Sequence, residues 1–83
     1  MTPIRVLLID DDASSARGLA RYLRTRGEFE VTVYDNGTEA LVHLAAQWQT
    51  YTAVLLDFVL APPVSGERVL DEIRDVFAAR GKL

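Results

Sequence analysis

The amino-acid sequence predicts an α/β fold built on a parallel sheet, and three observations carry that prediction. Short runs of branched apolar residues alternate with longer segments of helical periodicity, giving the order strand, helix, strand, helix, strand, helix. Two of the runs, IRVLLI at 4–9 and AVLL at 53–56, stop abruptly at carboxylates. Turn-forming residues at Gly27, at Asp35-Asn36-Gly37 and at Pro62-Pro63 mark where elements end.

The first run is nearly continuous in apolar residues, the pattern of a strand buried on both faces, and it ends at Asp10, Asp11 and Asp12. Ala16, Leu19, Ala20 and Leu23 then recur at helical spacing, with Gly27 as a C-terminal stop, so the first helix is predicted over 14–26. Phe29, Val31 and Val33 alternate with Glu30, Thr32 and Tyr34, which reads as an edge strand with one face less deeply buried. After the Asp-Asn-Gly turn, Ala40, Leu41, Leu44, Ala45 and Trp48 form the stripe of a second helix. A third strand over 53–56 leads to Asp57, and the prolines make 58–65 a loop, since they suit neither a helix interior nor a central strand. From Gly66, the residues Val69, Leu70, Ile73, Val76 and Phe77 mark a third amphipathic helix, expected to end near Arg80 with Gly81 as its cap.

Eighty-three residues allow one domain, 1–83, with a small core. A net charge of -3 gives no electrostatic footprint for a phosphate backbone, so direct nucleic-acid binding is not expected. The absence of cysteine excludes disulfides, thiolate metal sites and cysteine nucleophiles, and fits a reducing cytoplasm. Arg5 is followed by only four apolar residues before Asp10, too few for a signal-peptide core or a membrane span, so a soluble cytoplasmic protein with no membrane contact is expected.

In an open parallel sheet the strand C-termini lie along one edge, where ligands bind. If the first and third strands are neighbours, with the second outside the first, Asp10, Asp11 and Asp57 converge although forty-six residues separate the last two. Clustered carboxylates repel one another and either raise their pKa values or recruit a cation. Magnesium suits such a site, because it takes one or two carboxylates together with waters and a phosphate oxygen. It would leave Asp57 as a carboxylate nucleophile for phosphoryl transfer. The plainer reading of the acidic run is helix capping, the expected role of Asp12, but capping does not explain Asp57.

The segments VLLIDDD (6–12), NGTEAL (36–41) and LLDFVLAPPVSGERVLDEIR (55–74) resemble the receiver domains of two-component response regulators, the CheY-like family. The resemblance covers essentially the whole chain and implies a flavodoxin-like fold with strand order 2-1-3 and helices on both faces. It implies that Asp10 and Asp11 position Mg2+, with Asp11 the direct ligand, that Asp57 is the phosphoacceptor, and that the Val59 backbone carbonyl completes the metal site. A sensor histidine kinase or His-phosphotransfer protein would donate the phosphoryl group. The chain would be an acceptor in that transfer, not an enzyme with a separate substrate reaction.

Two departures stand out. The family's loop proline and glycine fall here at Pro62 and Gly66, one position late, which implies a one-residue insertion. A complete receiver has five strands, and the hydroxyl residue and lysine that follow its last two strands lie beyond Leu83, so the chain is truncated relative to that fold. Neither Thr52 nor Lys82 sits at an equivalent position. The alternative is therefore a degenerate receiver, a non-enzymatic interaction or dimerisation module.

Arg17, Arg21 and Arg24 share a face of the first helix and form either a kinase-docking surface, as that helix does in the family, or a solvated face. His43 and Trp48 are read as packing residues, and Gly37 and Gly66 as turn glycines with no phosphate-cradling motif around them. An uncovered third strand would favour self-association along its edge.

Overall fold

The computed structural model describes residues 3–57 and 59–79. Its elements are β1 (Ile4–Ile9), α1 (Ala13–Thr25), β2 (Phe29–Tyr34), α2 (Gly37–Gln47), a 3-10 turn (Trp48–Thr50), β3 (Ala53–Leu56) and α3 (Gly66–Ala79). The three strands form one parallel sheet in the order β2-β1-β3. This is the flavodoxin-like arrangement the sequence predicts. The expected end of the third helix at Arg80 and its cap at Gly81 lie outside the described residues.

The central position of β1 follows from its composition. Successive side chains point to opposite faces of a strand, and a strand covered on both faces needs apolar residues at every position. Leu7 and Ile9 face α2 and α3, packing with Ala40, Leu44, Leu60, Val69 and Ile73. Val6 and Leu8 face α1, packing with Ala16, Ala20 and Val31. β2 is the outer strand beside β1, and the predicted alternation holds only in part: Val31 is buried, but Val33, two residues on and on the same face, is exposed. β3 is less enclosed. Among the described residues it pairs only with β1, and Leu55, beside Leu8 on the α1 face, is exposed.

The helix ends show why the chain turns where it does. Asp12 caps α1, its carboxylate accepting from the backbone N–H groups of Ser14 and Ser15, as expected for a side chain that satisfies orphan donors. Arg26 closes the helix, and Gly27 follows at φ 81°, a conformation that costs glycine little. Asn36 caps α2 by accepting from Glu39 N–H at 2.8 Å. Trp48 does not continue that helix: α2 ends at Gln47, and Trp48 opens the 3-10 turn while still packing against the α2/α3 core. At α3 the Ser65 hydroxyl oxygen accepts from Arg68 N–H.

Candidate functional site

The sheet ladder runs one residue past β1 and β3 and thereby sets the site. Asp57 N–H donates to the Ile9 carbonyl at 2.9 Å, and Asp10 N–H donates to the Tyr34 carbonyl at 3.0 Å. Two aspartates from distant parts of the sequence are thus held side by side by backbone geometry. Asp10, Asp11 and Asp57 each offer a carboxylate oxygen within 4.8 Å of the others, with Asp10 and Asp57 half-buried and Asp11 exposed. The sequence named these three, and the fold brings them together.

Each carboxylate also receives a backbone N–H. Asp12 N–H donates to Asp10 Oδ1 at 2.9 Å, Val59 N–H to Asp57 Oδ1 at 2.9 Å, and Ala61 N–H to Asp11 Oδ2 at 2.8 Å. These bonds orient the carboxylates and leave part of each oxygen pair open. The ion pairs among the described residues are Arg5–Glu30, Arg26–Glu28 and Arg68–Glu72, so none reaches the acidic group.

Three carboxylates with no ion-pair partner among the described residues fit a divalent cation such as magnesium or calcium. Two oxygens bound directly to one magnesium ion lie at most about 4.2 Å apart. The observed spread therefore needs only a small contraction, or a bridging water at one carboxylate. Val59 stands next to Asp57 through its N–H, and among the described residues no hydrogen bond claims its carbonyl.

Asp12 is the fourth acid of the run and takes a different role. Its carboxyl is held below the usual range, chiefly by the Ser15 N–H, then by the Ser15 hydroxyl and the Ser14 N–H. It caps α1, as the plainer reading required, while Asp10 and Asp11 turn to the site. A shallow cleft lined by Leu8, Leu19, Leu55 and Leu56 opens beside Asp10, Asp12 and Asp57.

Arg17, Arg21 and Arg24 line an open depression along α1 with Ser14, Gly18 and Thr25. They are not equivalent. All three are exposed, but Arg24 Nη2 donates to the Val31 carbonyl at 2.8 Å and so braces α1 against β2, whereas among the described residues Arg17 and Arg21 make no such bond. His43 lies between two tyrosines, with Nε2 2.6 Å from the Tyr51 hydroxyl and its ring 4.8 Å from that of Tyr34, a packing role. What sequence reasoning missed is the tether from Ala61 to Asp11 across fifty residues, because a backbone donor has no signature in side-chain identity.

No family model matches the chain. A curated relative, Response regulator Rre1 of Synechocystis sp., is 29% identical over 73 residues, covering 88% of this chain and 30% of the relative. A solved structure of the signal receiver domain of a Luxo repressor protein from Vibrio parahaemolyticus superposes with a TM-score of 0.74 at 29% identity. The match covers 90% of this chain and 54% of that one. The chain thus spans about half of the receiver structure and less than a third of the curated relative. Both likenesses, with the strand order and the acidic cluster, support a CheY-like receiver domain, of which the described residues form three strands.

Proposed function

We propose that this receiver-type chain is a phosphoacceptor in two-component signalling, modified on Asp57 with magnesium held by Asp10, Asp11, Asp57 and the Val59 carbonyl. The observation that carries the proposal is the convergence of three carboxylates within 4.8 Å at the ends of adjacent parallel strands. Val59 N–H fixes one oxygen of Asp57 and leaves the other to attack. That oxygen forms the new bond to phosphorus as the phosphorus–nitrogen bond of a phosphohistidine breaks. The departing histidine nitrogen keeps the electron pair and takes a proton from solvent. Bound magnesium would neutralise charge on the phosphoryl oxygens and on the carboxylates around them.

The donor in this reading is a sensor histidine kinase or His-phosphotransfer protein in the cytoplasm, docking beside Arg17 and Arg21, and the chain catalyses no separate substrate reaction. Among the described residues no helix is long and apolar enough to cross a membrane. The test is treatment with a small acyl phosphate and magnesium, followed by intact-mass measurement and peptide mapping. One added phosphoryl group on Asp57, absent in Asp57→Asn, is expected. No added mass under saturating donor would refute the phosphoacceptor reading.

A second reading, a degenerate receiver used as an interaction module, is favoured by the open side of β3. Its outer edge is unpaired among the described residues, its sequence AVLL carries neither charge nor proline, and its Leu55 is 37% exposed. As an isolated polypeptide of these residues, the chain is proposed to pair β3 with β3 of a second copy. Light scattering distinguishes that dimer from a monomer.

A further inference from the structure

We infer that copies of this chain associate head to tail, the basic outer face of α1 on one copy receiving the acidic outer face of α3 on the next. The contact needs neither the cation nor Asp57, so it stands apart from the phosphoacceptor reading.

Each face carries a row of one sign. In α1, Arg17, Arg21 and Arg24 recur at helical spacing, and the helix contains no carboxylate. A Cβ built on Gly18, between the first two, would meet nothing within 4 Å, so the α1 backbone can be approached closely there. In α3, Glu67, Asp71 and Asp75 follow one another at intervals of four and are exposed. Each stands two residues from the buried Val69 or Ile73, about 160° around the helix, and so points away from the core. Among the described residues no ion pair engages Arg17, Arg21, Glu67, Asp71 or Asp75. Arg24 gives one N–H to the Val31 carbonyl and keeps its charge. The cations of α3 do not cancel its row: Arg68 is taken by Glu72, and Arg74 alone faces the remaining carboxylates.

A second copy is the occupant because the two rows match in length and lie where two copies can meet. Arg17 to Arg24 spans about 10 Å along the helix axis and Glu67 to Asp75 about 12 Å. α1 covers the Val6 and Leu8 face of the sheet, and α3 the Leu7 and Ile9 face. The two rows of one chain therefore cannot meet each other, whereas stacking two sheets face to face brings α1 of one copy against α3 of the next. Such a contact is not self-complementary and leaves one row free at each end, so assemblies lengthen as concentration rises. One helix against another is a small interface held by exposed charges, which makes the association weak and sensitive to salt. A phosphodonor docking beside Arg17 and Arg21 would compete for the same face.

Sedimentation velocity of the full chain, across a concentration series at low and high ionic strength, tests the stacking. The chain carries a net charge of -3, so general repulsion between copies is relieved by salt and would let association rise. The α1–α3 contact predicts the reverse, an association constant that falls about tenfold or more between ~0.02 M and ~0.5 M salt. Two variants then locate the faces: Arg17→Glu with Arg21→Glu, and Asp71→Lys with Asp75→Lys. Each alone should lose the salt-sensitive association, and a mixture of the two should regain it, because each supplies the sign the other lacks. A monomer at every concentration would leave the arginine row to an acidic partner and overturn the inference. So would association that resists salt, the behaviour expected of β3 pairing, or variants that remain apart when mixed. The salt series uses the natural chain only and decides the matter even where a variant fails to fold.

Discussion

On the face covered by α2 and α3, Leu7, Ile9, Leu44 and Val69 are fully buried, whereas α1 meets the other face through Ala16 and Ala20 and leaves Leu19, Tyr22 and Leu55 partly in solvent. Both faces belong to the same three strands, so the contrast is one of cover and not of strand composition. Large side chains interlock where two helices share a face. Where one helix covers three strands, small residues bring it close to β1 and β2, and β3 is left open. Stability should therefore be concentrated on the first face, and surface available to partners on the second.

The sharpest way to break this comparison is to truncate a leucine on each side. Leu44→Ala removes a side chain that is 1% exposed and should cost ~2–5 kcal/mol by leaving a cavity. Leu55→Ala, at 37% exposure, should cost no more than ~1 kcal/mol. Urea denaturation reads the difference as a shift in midpoint at constant slope. Equal losses would show that the two faces are equally well packed.

A glycine pair probes the same contrast with the opposite chemistry. Gly37→Ala drives a methyl into Val64 and Val69 and is expected to destabilise by ~1–3 kcal/mol. Gly18→Ala on α1 meets nothing within 4 Å and should stabilise by ~0.5–1 kcal/mol through helix propensity alone. Thermal denaturation of the two variants should move in opposite directions.

The acidic end joins the two sides, because its carboxylates come from the ends of β1 and β3. Magnesium that binds only the folded chain should raise its stability by about 1.4 kcal/mol at a free concentration ten times Kd. In Asp57→Asn that gain should shrink, since one ligand has lost its charge.

The smallest effect is expected at Asp12, which is fully exposed. Its carboxyl is more acidic when folded than when unfolded, because the Ser15 and Ser14 groups bind the anion. The stability it contributes is thus present above the unfolded carboxyl value and lost as the pH falls through the lowered folded one. Asp12→Ala should lower the melting midpoint by a few degrees near neutrality, and the gap should close in acid. A gap independent of pH would mean that Asp12 does not act as an anionic cap.

Much of this was legible in the residues. The near-continuous IRVLLI run declared a central strand, and Asp10, Asp11 and Asp57 declared the site once their strands were taken as neighbours. Asp12, Asn36 and Gly27 fixed helix ends because each satisfies or permits a particular backbone geometry. Trp48 misled as the end of a helical stripe, since an aromatic packs against the core equally well from a 3-10 turn. The different fates of Arg17 and Arg24 were not legible, because what separates them is the Val31 carbonyl, a backbone group. The Ala61 tether was hidden for the same reason.

The most direct test of the central claim, that Asp10, Asp11 and Asp57 share one divalent ion, is to count bound manganese by the loss of the free-ion paramagnetic signal, with magnesium as competitor. One ion per chain, displaced by magnesium and lost when all three aspartates are changed to asparagine, is the expected result. Binding that survives the triple substitution unchanged, or no binding to the natural chain, would contradict the account.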